Sequence, residues 1–486
     1  MYKKDRNHQF GLTDFNQPFG FKLNPDNRWV KKAEIIPWNE IEDRYADLFP
    51  SNTGMPAKPL RMALGSLLIQ KQYNYADREL LEQLTENPYY QYFIGLHGYI
   101  PVPPFAPSLL VEFRKRLTED VLNEINEMIM RHNEPHDPEG PGNGGKESEP
   151  EEKEPEVSES EENEGTLILD ATCAPQNIAY PQDINLLNEA REKLEEVIDT
   201  VCYEYNEEKP RTYRQNARKD YLALAKQRRK SSQAIRKAIK KQLGYVKRDI
   251  GYVDTYLERG LILSEKDMKK VSVIRTVYEQ QRYMYENNVH TVPGRIVSIS
   301  QPYIRPIVRG KAKTPTEFGI KLDLSVDEKG MARVEKQSFE AYNESETLVM
   351  AAEGYKARTG HYPKKILADT IYRNRRNLSY CKEHGIRLSG PALGRSKKDP
   401  SEDRKQIYRD AVDRIEVERS FSLAKRCFGL GLIKTKLDTT TRSSIVLSII
   451  AMNVERLRAF SLFEYLVSIF QGAGPDNEWN PAFKTA

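Results

Sequence analysis

The sequence predicts a mixed α/β chain behind an all-helical N-terminal block, and three observations carry that expectation. Two short apolar runs, 167–169 and 366–368, read as buried central strands, and each leads into an aspartate, Asp170 and Asp369. Two segments of partly alternating polarity, 316–326 and 331–339, flank the tight turn Glu328-Lys329-Gly330 and read as a hairpin. From 184 to about 290 the apolar spacing is helical: Ile235, Ile239, Leu243, Val246, Ile250, Val253 and Leu257 recur at steps of three and four.

With 486 residues the chain has room for two to four domains. Its net charge of +4 conceals a strong asymmetry. Residues 134–164 hold 13 acidic side chains against two lysines, which leaves about +15 on the remainder. A basic body with an acidic strap suits a polyanionic partner better than a neutral metabolite. Four scattered cysteines, Cys173, Cys202, Cys381 and Cys427, form no C-x-x-C pair and indicate neither a disulfide framework nor a cysteine zinc site. The N-terminus lacks the apolar core of a secretory signal, and the longest apolar run, 445–452, is too short to span a bilayer. A soluble protein of the reducing cytoplasm, without a membrane partner, is expected.

Along the chain, residues 1–55 are aromatic-rich and show little periodicity. Residues 59–73 form a compact apolar helix and 75–84 a second, and Asn87-Pro88 marks an N-cap with proline at the first helical position. Ser108 is the expected N-cap of a single helix over 109–130 that carries Arg114, Lys115 and Arg116. Short helices joined by tight breaks fit a helix-turn-helix-like DNA-contacting module and fit an all-helical packing or dimerisation domain equally. These elements set an N-terminal domain over 1–133. Residues 134–164 have almost no large apolar side chain to offset their ordering entropy and read as a disordered acidic linker.

A second unit is expected over 165–470, with a loose Gly/Pro/Asn-rich tail at 471–486. After the first strand, a basic helical insertion covers about 185–290. It contains one helix over 184–205, the long helix described above, and a third opened by the capping pair Ser264 and Asp267. Between residues 211 and 248 there are 14 Lys/Arg against one acid, Asp220, with Tyr213, Tyr221 and Tyr245 interleaved. So one-sided a run, including Arg228, Arg229 and Lys230, reads as a phosphate-tracking surface. Strands follow at 295–300, 303–310, 316–326 and 331–339, then a helix over 345–360 ending at Gly360. A strand over 364–372 runs into Asp369, and 381–391 is a helix end with a short strand. The basic loop 390–405 and two helices, around 414–428 and 443–460, complete the unit.

On the first of those helices Arg414, Glu418 and Lys425, at offsets of four and seven, share one stripe, beside an apolar stripe of Val417, Phe421, Ala424 and Phe428. Alone, this is a salt-bridged surface helix. Two central strands delivering Asp170 and Asp369 to one sheet edge, with this helix covering the edge, converge three carboxylates. Such a set suits hard divalent cations that keep water and phosphate among their ligands. Asp323 reads as outward-facing, Asp183 as a helix N-cap, His132 and His136 as solvent-exposed, and Trp29, Trp38 and Trp479 as packing or surface anchors.

These segments resemble the DDE transposases of bacterial insertion sequences. Their third motif has the form Y-(2)-R-(3)-E-(6)-K. Here Arg414, Glu418 and Lys425 match in spacing, while the Tyr position is Ala411, with Tyr408 about one turn away. LILDATCAPQNIAYPQD resembles the first-Asp segment, ILADTIYRNRRN the second, and RPIVRGKAKTPTEFGIKLDLS the strands between, with Lys311 and Lys313 as DNA contacts. The resemblance implies a ribonuclease H-like mixed sheet flanked by helices. It makes Asp170, Asp369 and Glu418 catalytic and metal-ligating, with two Mg²⁺ (or Mn²⁺) ions, and Arg414 and Lys425 DNA-binding. It further implies a nucleoid-associated endonuclease that cleaves at the inverted repeats of the element and joins the freed 3′-hydroxyl to target DNA, as a homodimer at synapsis. A nuclease of the same fold without strand transfer, and an inactive DNA-binding regulator, are the alternatives.

Overall fold

The computed structural model describes residues 1–4, 12–49, 53–134, 162–308, 316–391 and 401–472. Most of the acidic tract, Lys311 and Lys313, the centre of the loop 390–405, His136, Trp479 and the tail lie outside these residues.

Among the described residues, seven α-helices make up the N-terminal part: α1 (Arg28–Ile35), α2 (Trp38–Ala46), α3 (Leu60–Tyr73), α4 (Asp77–Glu86), α5 (Pro88–Phe93), α6 (Leu109–Arg116) and α7 (Glu119–His132). The first two fall where little periodicity is visible, because helices of eight and nine residues offer barely two turns of pattern. Trp29 and Trp38 anchor them, packed edge-on against Phe93. Asn87 caps α5 through its side chain, accepting from the N–H of Tyr89 and Tyr90. The single helix expected over 109–130 is broken at Leu117, which is fully buried and non-helical (φ −80°, ψ 77°), and the chain restarts after Thr118 with Glu119 and Asp120 in the first turn. Ser108 makes no side-chain cap.

The sheet has six strands: β1 (Glu164–Pro175), β2 (Arg305–Val308), β3 (Thr316–Val326), β4 (Ala332–Ser338), β5 (Pro363–Leu367) and β6 (Arg387–Leu388). The order is β2-β3-β1-β5-β6, with β4 also on β3. β3 runs antiparallel to β1, β2 and β4, whereas β5 is parallel to β1 and β6 parallel to β5. An antiparallel β1-β3-β4 start followed by parallel strands is a ribonuclease H-like mixed sheet. Gly330, at φ +76°, turns the β3-β4 hairpin. The stretch 295–300 is no strand; Ile296, Val297 and Ile299 are buried as loop side chains.

Between β1 and β2 stand α8 (Asp183–Glu204), α9 (Arg214–Ala225), α10 (Ser232–Glu258) and α11 (Glu265–Asn287). Ser264 caps α11 by accepting from the Asp267 N–H. Asp183, at the start of α8, is claimed by Arg295 (2.6 Å) and Gln281 (2.9 Å). The insertion has its own core, with Leu187, Leu194 and Ile198 against Val246, Val253 and Ile274.

Within it Asp249 is fully buried, and neither carboxylate oxygen has a hydrogen-bond partner. Burial, and then the charge of Glu195, push its carboxyl up to about 7, with Arg191 and Arg248 opposing. A carboxyl raised this far favours folding below pH 4, and that contribution is lost as the pH rises through 7. Asp249→Asn therefore stabilises the protein at pH 8, by about 2–4 kcal/mol, and has little effect near pH 4. Urea unfolding at the two pH values measures this. Equal gains at both would remove the titration of Asp249 as the cause.

Beyond the hairpin come α12 (Thr347–Thr359), α13 (Arg375–Glu383), α14 (Ser401–Cys427) and α15 (Asp438–Gly472). Gly360, at φ +87°, ends α12. One face of the sheet packs with α12 and α13 through Leu167, Leu169, Ile366 and Tyr372. The other face belongs to a larger core that joins Ile320, Leu322 and Leu324 of β3 to Ile445 and Ile449 of α15 and to Leu64, Phe93 and Ile125 of the N-terminal helices. Polar links cross this junction. Asn453 donates to Asn126 (3.0 Å) and to the Ala332 carbonyl (2.8 Å) and accepts from the Ala332 N–H, and the buried Lys32 ion-pairs with Glu455.

Candidate active site

β1 does not stop at Asp170, as the apolar run suggests, because β3 stays paired with it through Pro175↔Gly319. It is β5 that stops. Ile168 and Leu367 are the last partners of the parallel pair, so Asp170 and Asp369 each lie two positions further on, at one sheet edge. Alternation puts Asp170 on the face of Ile168, the face of the larger core, and away from Leu167 and Leu169. Asp369 caps a 3-10 turn over Thr370–Tyr372, accepting from the Thr370 N–H (2.6 Å) and hydroxyl (3.2 Å).

α14 covers this edge. Val417, Phe421, Ala424 and Phe428 are buried beneath it. Two ion pairs tie its first half to the parallel strands: Asp410 takes both guanidinium nitrogens of Arg387 (2.7 Å each), and Asp413 meets Lys365 (3.0 Å). Arg414 stands between two of the acids, 3.3 Å from Asp369 and 3.8 Å from Glu418. Lys425 donates to the Thr172 hydroxyl at 2.8 Å, fixing the helix to β1 two residues from Asp170. Thr172, Asp410 and Asp413 were not singled out in the sequence. Thr172 was open to inference, since two residues along a strand return to the same face.

The electrostatics differ among the acids. Burial pushes the Asp170 carboxyl up to about 6, against the Ala171 N–H and the more distant Arg414, with Glu344 and Asp369 adding to the rise. At Asp369 burial works against ionisation, yet the Thr370 N–H and Arg414 outweigh it and hold the carboxyl below its usual range. Glu418 is exposed, with its side chain 58% accessible.

Asp323, expected to face outward, is buried, because β3 is central and covered on both faces. It sits opposite Ala171, accepts from Tyr342 at 3.0 Å, and is pushed by burial up to about 6.

Of the other basic residues, Arg228, Arg229 and Lys230 are exposed in the α9–α10 connection. Arg114 is engaged by Asp77 and Gln70, Lys115 by Glu112 (3.0 Å), and Arg116 lies over the Phe49 ring (5.1 Å). Tyr408 is exposed on α14.

Among the described residues, no three His, Cys, Asp or Glu side chains stand close enough to hold a metal ion as a group. The donor chemistry nevertheless fits a hard divalent cation: Asp170, Asp369 and Glu418 all feel Arg414, and Asp170, the least solvated, has no ion pair among the described residues. No described helix is long and apolar enough to cross a membrane.

Two family models match the chain. Residues 366–455 match a "Transposase DDE domain", and residues 19–116 match a "Transposase domain (DUF772)". Both matched regions are transposase regions, and together they indicate an insertion-sequence DDE transposase. The first match holds Asp369, Arg414, Glu418 and Lys425, and the second covers most of the N-terminal helices of this transposase. A curated relative, "Uncharacterized protein ORF8 in nfe locus" of Rhizobium meliloti, is 25% identical over 172 residues, which is 35% of this chain and 73% of the relative. No solved structure matches.

Proposed function

We propose that this transposase cuts DNA at the ends of its insertion sequence and joins the freed 3′-hydroxyl to target DNA, with Asp170, Asp369 and Glu418 as the catalytic acids. The observation that carries this reading is the meeting of Asp369 and Glu418 on one guanidinium, at the sheet edge that Asp170 shares. Acids separated by nearly 250 positions lie around Arg414, and Glu418 on the exposed side is accessible to a phosphodiester.

These carboxylates would hold two Mg²⁺ or Mn²⁺ ions, which when bound supply an activated water or hydroxyl and stabilise the leaving oxygen. Asp170 is carried by β1 and Asp369 by the 3-10 turn after β5, whereas the exposed Glu418 is steered by Arg414. Arg414 neutralises two of the acids in the free protein and is positioned to take a phosphate oxygen when DNA is present. Lys425 holds α14 on β1 and extends the same cationic rail. The exposed cations of the insertion, Arg228, Arg229 and Lys230, track the backbone, as do Lys311 and Lys313. Arg114, Lys115 and Arg116 sit on the N-terminal helices that hold the inverted repeats, and a homodimer pairs two ends.

The test supplies pre-cut end DNA, a target plasmid and Mg²⁺ to the purified protein. Joined products are expected, and chelation with EDTA removes them. Cutting of intact ends without joining would leave only a nuclease; end binding without either would leave a regulator.

A further inference from the structure

A cavity of about 300 Å³ lies between α3 of the N-terminal helices and the connection from α14 to α15. Lys71, Arg114 and Lys434 converge on it. Arg114 is matched by Asp77. Lys71 and Lys434 are not: among the described residues no carboxylate pairs with either. The Lys71 ammonium donates to the Ser444 hydroxyl at 2.5 Å, and Lys434 donates to the Asn74 carbonyl at 3.3 Å. Burial, and then repulsion from Arg114 and Lys434, depress the Lys71 ammonium to about 7.

A desolvated cation facing two others is costly unless an anion enters. The groups present suit a tetrahedral oxyanion: two ammonium heads, one edge of a guanidinium, and a hydroxyl. Gly429, at φ +73°, turns the chain beside the cavity, in ordinary packing distance of Asn74 and the Lys71 stem. The cavity also joins the two matched regions, since Lys71 and Arg114 fall in one and Lys434 and Ser444 in the other.

We propose that this cavity receives one phosphate of the DNA backbone, clasped between the N-terminal helices and the α14–α15 connection. The proposal rests on the reading of the protein as a DNA-handling enzyme and adds a contact outside the acid site. A phosphate held here fixes the duplex to the connection that follows the Glu418 helix, so the grip on DNA and the placement of the acids share one segment.

The full-length chain is titrated with inorganic phosphate against chloride at matched ionic strength, following the melting temperature and the ³¹P linewidth. A saturable rise in melting temperature is expected, and a short duplex of end sequence displaces the phosphate. Lys71→Met and Lys434→Ala each weaken phosphate binding at least tenfold. Without phosphate, Lys71→Met melts no lower than wild type, since a partly buried charge without a carboxylate partner among the described residues has been removed. Glu418→Gln binds phosphate as wild type does, so a failure of the acid site leaves this result standing. An absent phosphate response, unchanged affinity in both lysine variants, or phosphate still bound under saturating duplex would each overturn the proposal.

Discussion

Glu418→Gln lowers Mg²⁺-dependent cleavage of end DNA by about a thousandfold or more, roughly 4 kcal/mol of barrier, while end binding and stability stay at wild-type levels. The two halves of this expectation have separate physical origins. Glu418 is exposed and its ion pair with Arg414 is loose at 3.8 Å, so the pair is worth no more than about 1 kcal/mol to folding. A catalytic carboxylate is worth far more to the reaction, because glutamine keeps its shape and surrenders its charge. The same substitution on a merely salt-bridged surface helix changes neither property. Cleavage is measured under single-turnover conditions and binding by mobility shift in Ca²⁺. Cleavage at the wild-type rate would take Glu418 out of the site.

Asn453→Ala destabilises the protein by about 3 kcal/mol, the largest loss expected from a single truncation outside the apolar core. Asn453 is fully buried on α15 and answers the N–H and the carbonyl of Ala332 while donating to Asn126 of α7. Alanine strands the Ala332 N–H and the Asn126 amide oxygen away from water, while the Ala332 carbonyl keeps the Asn126 amide at 3.2 Å, and each buried polar group left unpaired costs about 1–3 kcal/mol. Asn453→Asp is a sharper probe, since a carboxylate keeps the acceptor and loses the donor. Denaturant midpoints decide the matter, and a loss under about 1 kcal/mol in the alanine variant would mean that water reaches the junction.

The sequence revealed the parts of this molecule that obey a local rule. Periodicity exposed α3, α8, α10 and α11, alternation and a glycine turn exposed the β3-β4 hairpin, and the spacing from Arg414 to Lys425 exposed the working stripe of α14. Features set by distant partners stayed hidden. Nothing local says that β1 runs past Asp170, because β3, some 150 positions later, is what extends it. Asp323 looks like an outward strand residue until Tyr342, and Thr347 at the start of α12, close over it. The break at Leu117 comes from burial of that side chain, and no proline or glycine announces it. Within the candidate site, the acids could be named from strand ends and motif spacing, whereas the threonine under Lys425 and the anchors of α14 required the folded sheet.

The core that unites the N-terminal helices, α15 and β3 has a mechanical consequence. The acidic strap between residues 134 and 164 looks like a tether between independent modules, yet the parts on either side are wedged together through Asn453, Lys32 and a common apolar interior. Scission of the strap would therefore free neither half. The N-terminal helices and the sheet thus move as one body, with no hinge at the strap to swing one against the other.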